Sequence, residues 1–87
     1  MSNPQNCWDK LRELAETGTG DPRKDAAKIA RKFASGAAKR DVRQLRTRLE
    51  DTLTAGQYTT VPALYLDQHN RWLAVLAGAC TEMREDR

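Results

Sequence analysis

Side chains that could perform catalysis or bind a metal are few in this sequence. Its single histidine, His69, is not part of any recognisable catalytic motif, and no phosphate-binding loop, nucleophile elbow or paired zinc-ligand motif is present. Cys7, Cys80 and His69 together offer fewer ligands than the four that a structural zinc site uses. We therefore predict a protein that is not an enzyme and that holds no metal and no cofactor. A cysteine on an apolar helix face is usually a small hydrophobic residue.

Positive charge concentrated between residues 23 and 48 is the feature that indicates a binding function. This stretch holds ten Lys/Arg and two Asp, a net charge of +8, whereas residues 1–22 carry −2 and residues 49–87 carry −3. Like charges four residues apart, such as Lys24 and Lys28, cost a few tenths of a kcal/mol per pair on a helix, a cost that an anionic partner offsets. A merely solvated basic face is the ordinary alternative. The candidate binding residues are Lys24, Lys28, Arg31, Lys32, Lys39, Arg40, Arg43 and Arg46.

Two kinds of anionic partner fit this charge pattern. The first is nucleic acid, whose phosphates supply most of the non-specific affinity of basic proteins, and this hypothesis is slightly favoured. The second is an acidic protein surface, bound by a small inhibitor or adaptor of the kind that phages and mobile elements encode against nucleic-acid-handling complexes. No aromatic residue alternates with the basic ones, which argues against a platform for stacking single-stranded bases.

The composition places these residues in one small domain spanning residues 1–87. Hydrophobic residues make up 39% and charged residues 31% of the chain, values typical of a folded protein rather than a disordered or membrane-spanning one. No leader-like pattern of basic residues followed by an apolar stretch opens the sequence. Two cysteines do not make a disulfide framework, so we expect a cytoplasmic protein with no membrane contact.

Capping and turn signals divide the chain into four segments with helical periodicity, which predicts a small all-α bundle of about four helices. Asn3 and Asp21 each precede a proline, a pair typical of helix N-termini. Gly18 or Gly20 should end the first segment, and Ser35 and Gly36 mark a break after the second. The predicted segments are Pro4 to Thr17, Pro22 to Ser35, Ala38 to Ala55 and Val61 to Glu85.

The fourth segment allows two interpretations. Its apolar side chains cover more than half of a helical wheel, which predicts a central, deeply buried helix. Residues 61–77 also resemble a β-hairpin in composition, so three helices plus a C-terminal hairpin is the alternative fold. On the helix, Leu64, Tyr65 and Leu66 belong to the apolar arc. The polar arc includes Asp67, Asn70, Arg71 and Gly78.

A narrow apolar stripe on the third segment bears on self-association. Val42, Leu45 and Leu49 follow one another at close to coiled-coil spacing. Because a chain of 87 residues has a thin core, this seam predicts either a monomer or a weak homodimer paired through it.

Overall fold

Four α-helices and one 3-10 turn make up residues 3–83, the part of the chain that the computed structural model describes. No strand occurs within these residues, so the all-α prediction is confirmed and the hairpin alternative for residues 61–77 is wrong. No helix in this range is long and apolar enough to cross a membrane. The elements are α1 (Pro4–Thr17), α2 (Pro22–Gly36), α3 (Lys39–Gln57), a 3-10 turn (Ala63–Tyr65) and α4 (Leu66–Glu82).

The helix boundaries largely follow the capping signals. The side chain of Asn3 accepts a hydrogen bond from the backbone N–H of Asn6 at 2.8 Å, and Asp21 caps α2 in the same way. Gly18 ends α1 and Gly36 ends α2, as predicted. The fourth helix begins at Leu66 rather than Val61, because the chain is extended at Pro62 and then forms the 3-10 turn. Its predicted end at Glu85 lies outside the described residues.

The central helix of the bundle is α4, which packs against α1, α2 and α3, as its broad apolar arc predicts. Its second half lies deepest, with Val75, Leu76 and Ala79 fully buried. By contrast, α2 and α3 each pack mainly on α4 and touch each other little. The core is formed by Cys7, Leu11, Ala15, Ala26, Ala30, Phe33, Leu45, Leu49, Val75, Leu76, Ala79 and Met83.

One glycine permits the tightest helix contact. Gly78 is buried, and a Cβ atom built on it would lie 3.0 Å from the backbone Cα and C of Arg23 and closer still to its carbonyl oxygen. The start of α2 therefore lies directly against the backbone of α4. This contact corrects the assignment of Gly78 to a solvent-facing arc, because α2 covers that face.

The narrow stripe on α3 is used inside the protomer. Leu45 and Leu49 are fully buried, and Val42 packs against the same core. The seam therefore faces α4 and its neighbours, and the homodimer predicted through it is wrong in its choice of surface. A leucine stripe can be buried equally well by packing within one chain or by pairing two chains. Its spacing alone therefore does not distinguish these two possibilities.

Two tryptophans close the side of the bundle where α1 meets α4. Trp8 and Trp72 are half-buried and meet edge to face, with ring centroids 5.4 Å apart. The guanidinium of Arg48 lies 3.7 Å from the ring centroid of Trp8, and that of Arg12 lies 4.8 Å from the centroid of Trp72. The two rings therefore pack at the edge of the core, and the guanidinium groups of Arg48 and Arg12 lie over them.

Arg71 departs most clearly from the helical-wheel prediction. It was expected on the solvent-facing arc, but it is half-buried, and its Nη2 donates a hydrogen bond to the carbonyl oxygen of Gly18. The carbonyl of Leu14 lies 3.5 Å from the same nitrogen. A cation placed near the carbonyl oxygens at a helix C-terminus stabilises that helix end, and here Arg71 supplements the hydrogen bond that the backbone N–H of Gly18 already donates to Leu14.

Replacing Arg71 with alanine should therefore destabilise the fold, which a surface arginine would not do. We expect a loss of about 1 kcal/mol in the free energy of unfolding, measured by urea denaturation. The loss stays modest because Nε of Arg71 is buried without a hydrogen-bond partner among residues 3–83. Arg40→Ala, at an exposed position on α3, is the control and should change stability by less than about 0.5 kcal/mol. Equal stability of the two variants would contradict the capping role.

Candidate functional site

The eight predicted binding residues divide evenly between α2 and α3. All of them are exposed except Arg46, which is half-buried. The structure assigns them different roles: three form a row along α2, three surround the start of α3, and two reach the end of α4. These groups are, in that order, Lys24, Lys28 and Lys32; Lys39, Arg40 and Arg43; and Arg31 and Arg46.

The lysine row lies along the solvent side of α2. Lys24, Lys28 and Lys32 follow at intervals of four residues, so their Cα atoms rise about 6 Å from one to the next along the helix axis. The opposite side of α2 carries the buried Ala30 and Phe33. Within residues 3–83, none of the three lysines forms an ion pair or a side-chain hydrogen bond. The row is therefore available to an external anion.

Two arginines of the predicted site converge on the C-terminal end of α4. Nε of Arg31 donates a hydrogen bond to Oε1 of Glu82 at 2.8 Å, and Nη1 of Arg46 lies 3.5 Å from the carbonyl oxygen of Met83. The hydrogen bond with Glu82, and then its charge, raise the pKa of the Arg31 guanidinium above its ordinary value. These two cations therefore hold α2 and α3 to the negative end of the α4 dipole.

The start of α3 lacks the side-chain cap that α1 and α2 have. Ala38 occupies the N-cap position and offers no side-chain acceptor to the first backbone N–H groups. Lys39 and Arg40 follow in the first turn, where cations face the positive end of the helix dipole and are slightly unfavourable. Asp41 is half-buried in the same turn. An external anion would relieve the repulsion between these cations and the dipole.

A groove between α1 and α2 borders the lysine row, and sequence reasoning missed it. Its volume is about 500 Å³. Cys7, Ile29 and Phe33 form apolar lining, and Lys10 and Lys32 contribute positive charge. The crossing of the two helices creates the groove, so no pattern within either helix could have indicated it.

The side chains with catalytic potential are held in structural roles. Burial raises the pKa of the Cys7 thiol and of the Cys80 thiol to about 11, so both stay protonated at neutral pH and are weak nucleophiles. Nε2 of His69 lies 3.0 Å from the carbonyl oxygen of Gly56 and ties the start of α4 to the end of α3. Among residues 3–83, no group of three or more His, Cys, Asp or Glu residues is placed to hold a metal ion.

The arrangement as a whole offers anions a charged helix face and offers apolar groups a groove beside it. Lys32 belongs to both features, so one partner could contact the two together. The residues that carry the positive charge lie on helices whose other sides are packed into the core, which holds the charges in place. Comparisons with protein-family models, with curated proteins and with solved structures find no match for this chain.

Proposed function

We propose that this chain is a small, non-enzymatic regulator that binds nucleic acid through a basic surface, contacting the phosphates of a duplex. The observation that carries the proposal is the exposed lysine row of α2, which has no ion pair within residues 3–83; further exposed cations follow in the chain at the start of α3. The basic surface, in this sense, consists of Lys24, Lys28, Lys32, Lys39, Arg40 and Arg43.

The spacing of the row suits a phosphate backbone. Duplex DNA carries one negative charge per about 1.7 Å of its axis, so lysines about 6 Å apart reach phosphates without a fixed register. The solvent side of α2 carries no asparagine or glutamine, residues that commonly read adenine in the major groove. These features favour sequence-tolerant binding, in which affinity comes from charge and the regulatory effect comes from occupying the nucleic acid.

Binding to random-sequence DNA tests this proposal. At about 50 mM salt, where electrostatic affinity is large, a fluorescently labelled random duplex should bind and raise its anisotropy. With about five phosphate contacts, the logarithm of the affinity should fall against the logarithm of the salt concentration with a slope near −4.5. A matched single strand should show a shallower slope, near −3.5. Absence of duplex binding at this salt concentration would overturn the nucleic-acid proposal.

The second candidate is an inhibitor or adaptor that binds an acidic protein surface. The groove between α1 and α2 supports it, because an apolar side chain of a partner could enter beside Lys10 and Lys32 while acidic residues meet the lysine row. Such a complex should respond less steeply to salt, with most of the response in the association rate. Substituting Ile29 with Ala in the groove removes apolar surface without changing the charge, so it should weaken this complex about tenfold and leave duplex binding little changed.

A further inference from the structure

A cluster of exposed apolar side chains lies where α3 connects to α4. Tyr58 and Leu64 are each 84% exposed, Tyr65 is 55% exposed and Leu66 is 45% exposed. These four residues, here called the apolar end, are the large hydrophobic residues most exposed within residues 3–83. The sequence pattern had placed Leu64, Tyr65 and Leu66 on a buried arc. The structure corrects this placement, because α4 starts only at Leu66 and no helix extends beyond it to cover them.

Hydrogen bonds, rather than burial, give this connection its shape. The backbone N–H of Tyr58 donates to the carbonyl of Ala55, and that of Thr59 donates to the carbonyl of Gly56, which also lies next to the His69 ring. The apolar side chains are therefore presented on an ordered backbone. Docking onto an ordered surface loses less conformational entropy than docking onto a mobile loop.

The exposed apolar area of the four side chains matches that of the largest patch on a typical monomer. Taking about 200 Å² for a whole tyrosine side chain, Tyr58 and Tyr65 together expose roughly 280 Å². The two leucines raise the total to roughly 450 Å², a patch size that is often functional on a monomer. Two such patches amount to roughly 900 Å², which lies in the size range of weak, reversible interfaces below about 1,200 Å².

A socket for a protruding side chain lies directly beside the apolar end. A groove of about 260 Å³ runs between α1 and the start of α4. Val61, Tyr65 and Trp72 form its apolar part, and Arg12, Glu16, Gln68 and His69 form its polar part. Leu64 precedes the lining residue Tyr65 in the chain and is 84% exposed. A knob and a socket on the same patch are self-complementary, which is the requirement of a twofold interface.

The charges around the apolar end also suit a second copy. No charged residue occurs from Tyr58 to Leu66, so two copies meet there without like-charge repulsion. The rim carries both signs: Arg12 and Glu16 pair on α1 at 3.6 Å, and Asp67 is exposed at the start of α4. A polyanion finds no cation within this segment, which separates the apolar end from the basic surface.

We propose that the apolar end joins two copies of this chain into a twofold dimer, with Leu64 of each copy seated in the groove beside Trp72 of the other. The apolar end lies at the start of α4, about 24 Å along the helix from its C-terminal end, where Arg31 and Arg46 converge. The apolar end shares no residue with the basic surface. Dimerisation through the apolar end does not require any particular ligand on the basic surface.

Sedimentation equilibrium of the full chain between about 5 and 500 µM tests the dimer. We expect a reversible dimer, and Leu64→Glu should raise its dissociation constant at least a hundredfold, because the apolar contact with Tyr65 and Trp72 is lost and a carboxylate must be desolvated beside Glu16, which already pairs with Arg12. Far-UV circular dichroism should stay unchanged, since Leu64 is 84% exposed in the protomer.

Gln44→Glu provides the matched control, because it adds one negative charge at an exposed position on α3. Its dissociation constant should stay within about twofold of the wild type. A monomer throughout the concentration range would overturn the proposal, and so would a dimer that Leu64→Glu does not weaken. Either result would mean that the apolar end binds a protein other than a second copy of this chain.

Discussion

Neutralising the lysine row should reduce duplex binding by about three orders of magnitude while leaving the fold intact. Each phosphate neutralised on duplex DNA contributes about 0.9 to the salt slope, so replacing Lys24, Lys28 and Lys32 with glutamine should change the slope from about −4.5 to about −1.8. If the two proteins bind DNA equally at 1 M salt, where charge contributes little, this difference in slope makes the variant bind about a thousandfold more weakly than the wild type at 50 mM salt. Fluorescence anisotropy titrations at several salt concentrations measure both quantities.

Stability should not fall in this triple variant. The three lysines are exposed and unpaired within residues 3–83, and removing like charges four residues apart slightly favours the helix. A charge-matched control replaces Thr19, Thr54 and Gln57 with glutamate, at exposed positions outside the lysine row and the apolar end, which changes the net charge by the same amount. If the control loses as much affinity as the triple lysine variant, net charge rather than the lysine row determines binding.

Gly78→Ala should destabilise the bundle by about 1–3 kcal/mol, the range seen for overpacked cores. The added methyl group would meet the backbone of Arg23, which cannot rotate away as a side chain would. The helix α2 must then move off α4, although alanine is intrinsically the better helix former by about 1 kcal/mol. For a domain of this size, the melting temperature should fall by roughly 5–20 °C in a thermal scan followed by circular dichroism.

Gly56→Ala is the matched control for this substitution. A Cβ on Gly56 would meet the side-chain methyl Cδ2 of Leu73 at 2.7 Å, and that methyl group can shift by rotation of its side chain. We therefore expect a change in stability within about 1 kcal/mol. Equal destabilisation by the two alanines would show that backbone contact between α2 and α4 is not what requires glycine at position 78.

The sequence by itself determined the local features of this protein. Helix boundaries depend on caps, prolines and apolar spacing within a few residues, which is why the bounds predicted for α1 match and the break at Gly36 is where it was expected. The exposure of the lysine row was equally predictable, because an unpaired charge stays in water. The central position of α4 followed from the width of its apolar arc.

Tertiary structure decided which side chains of similar type serve the fold and which face outward. Arg31 is exposed, as predicted, yet it pairs with Glu82 of α4, whereas Arg71, predicted to face solvent, is half-buried against the carbonyl of Gly18. Leu45 and Leu64 are both leucines in apolar patterns, yet one is fully buried and the other is 84% exposed. The physical reason is that helical periodicity specifies a direction around one axis, whereas burial depends on how helices cross and where the bundle ends.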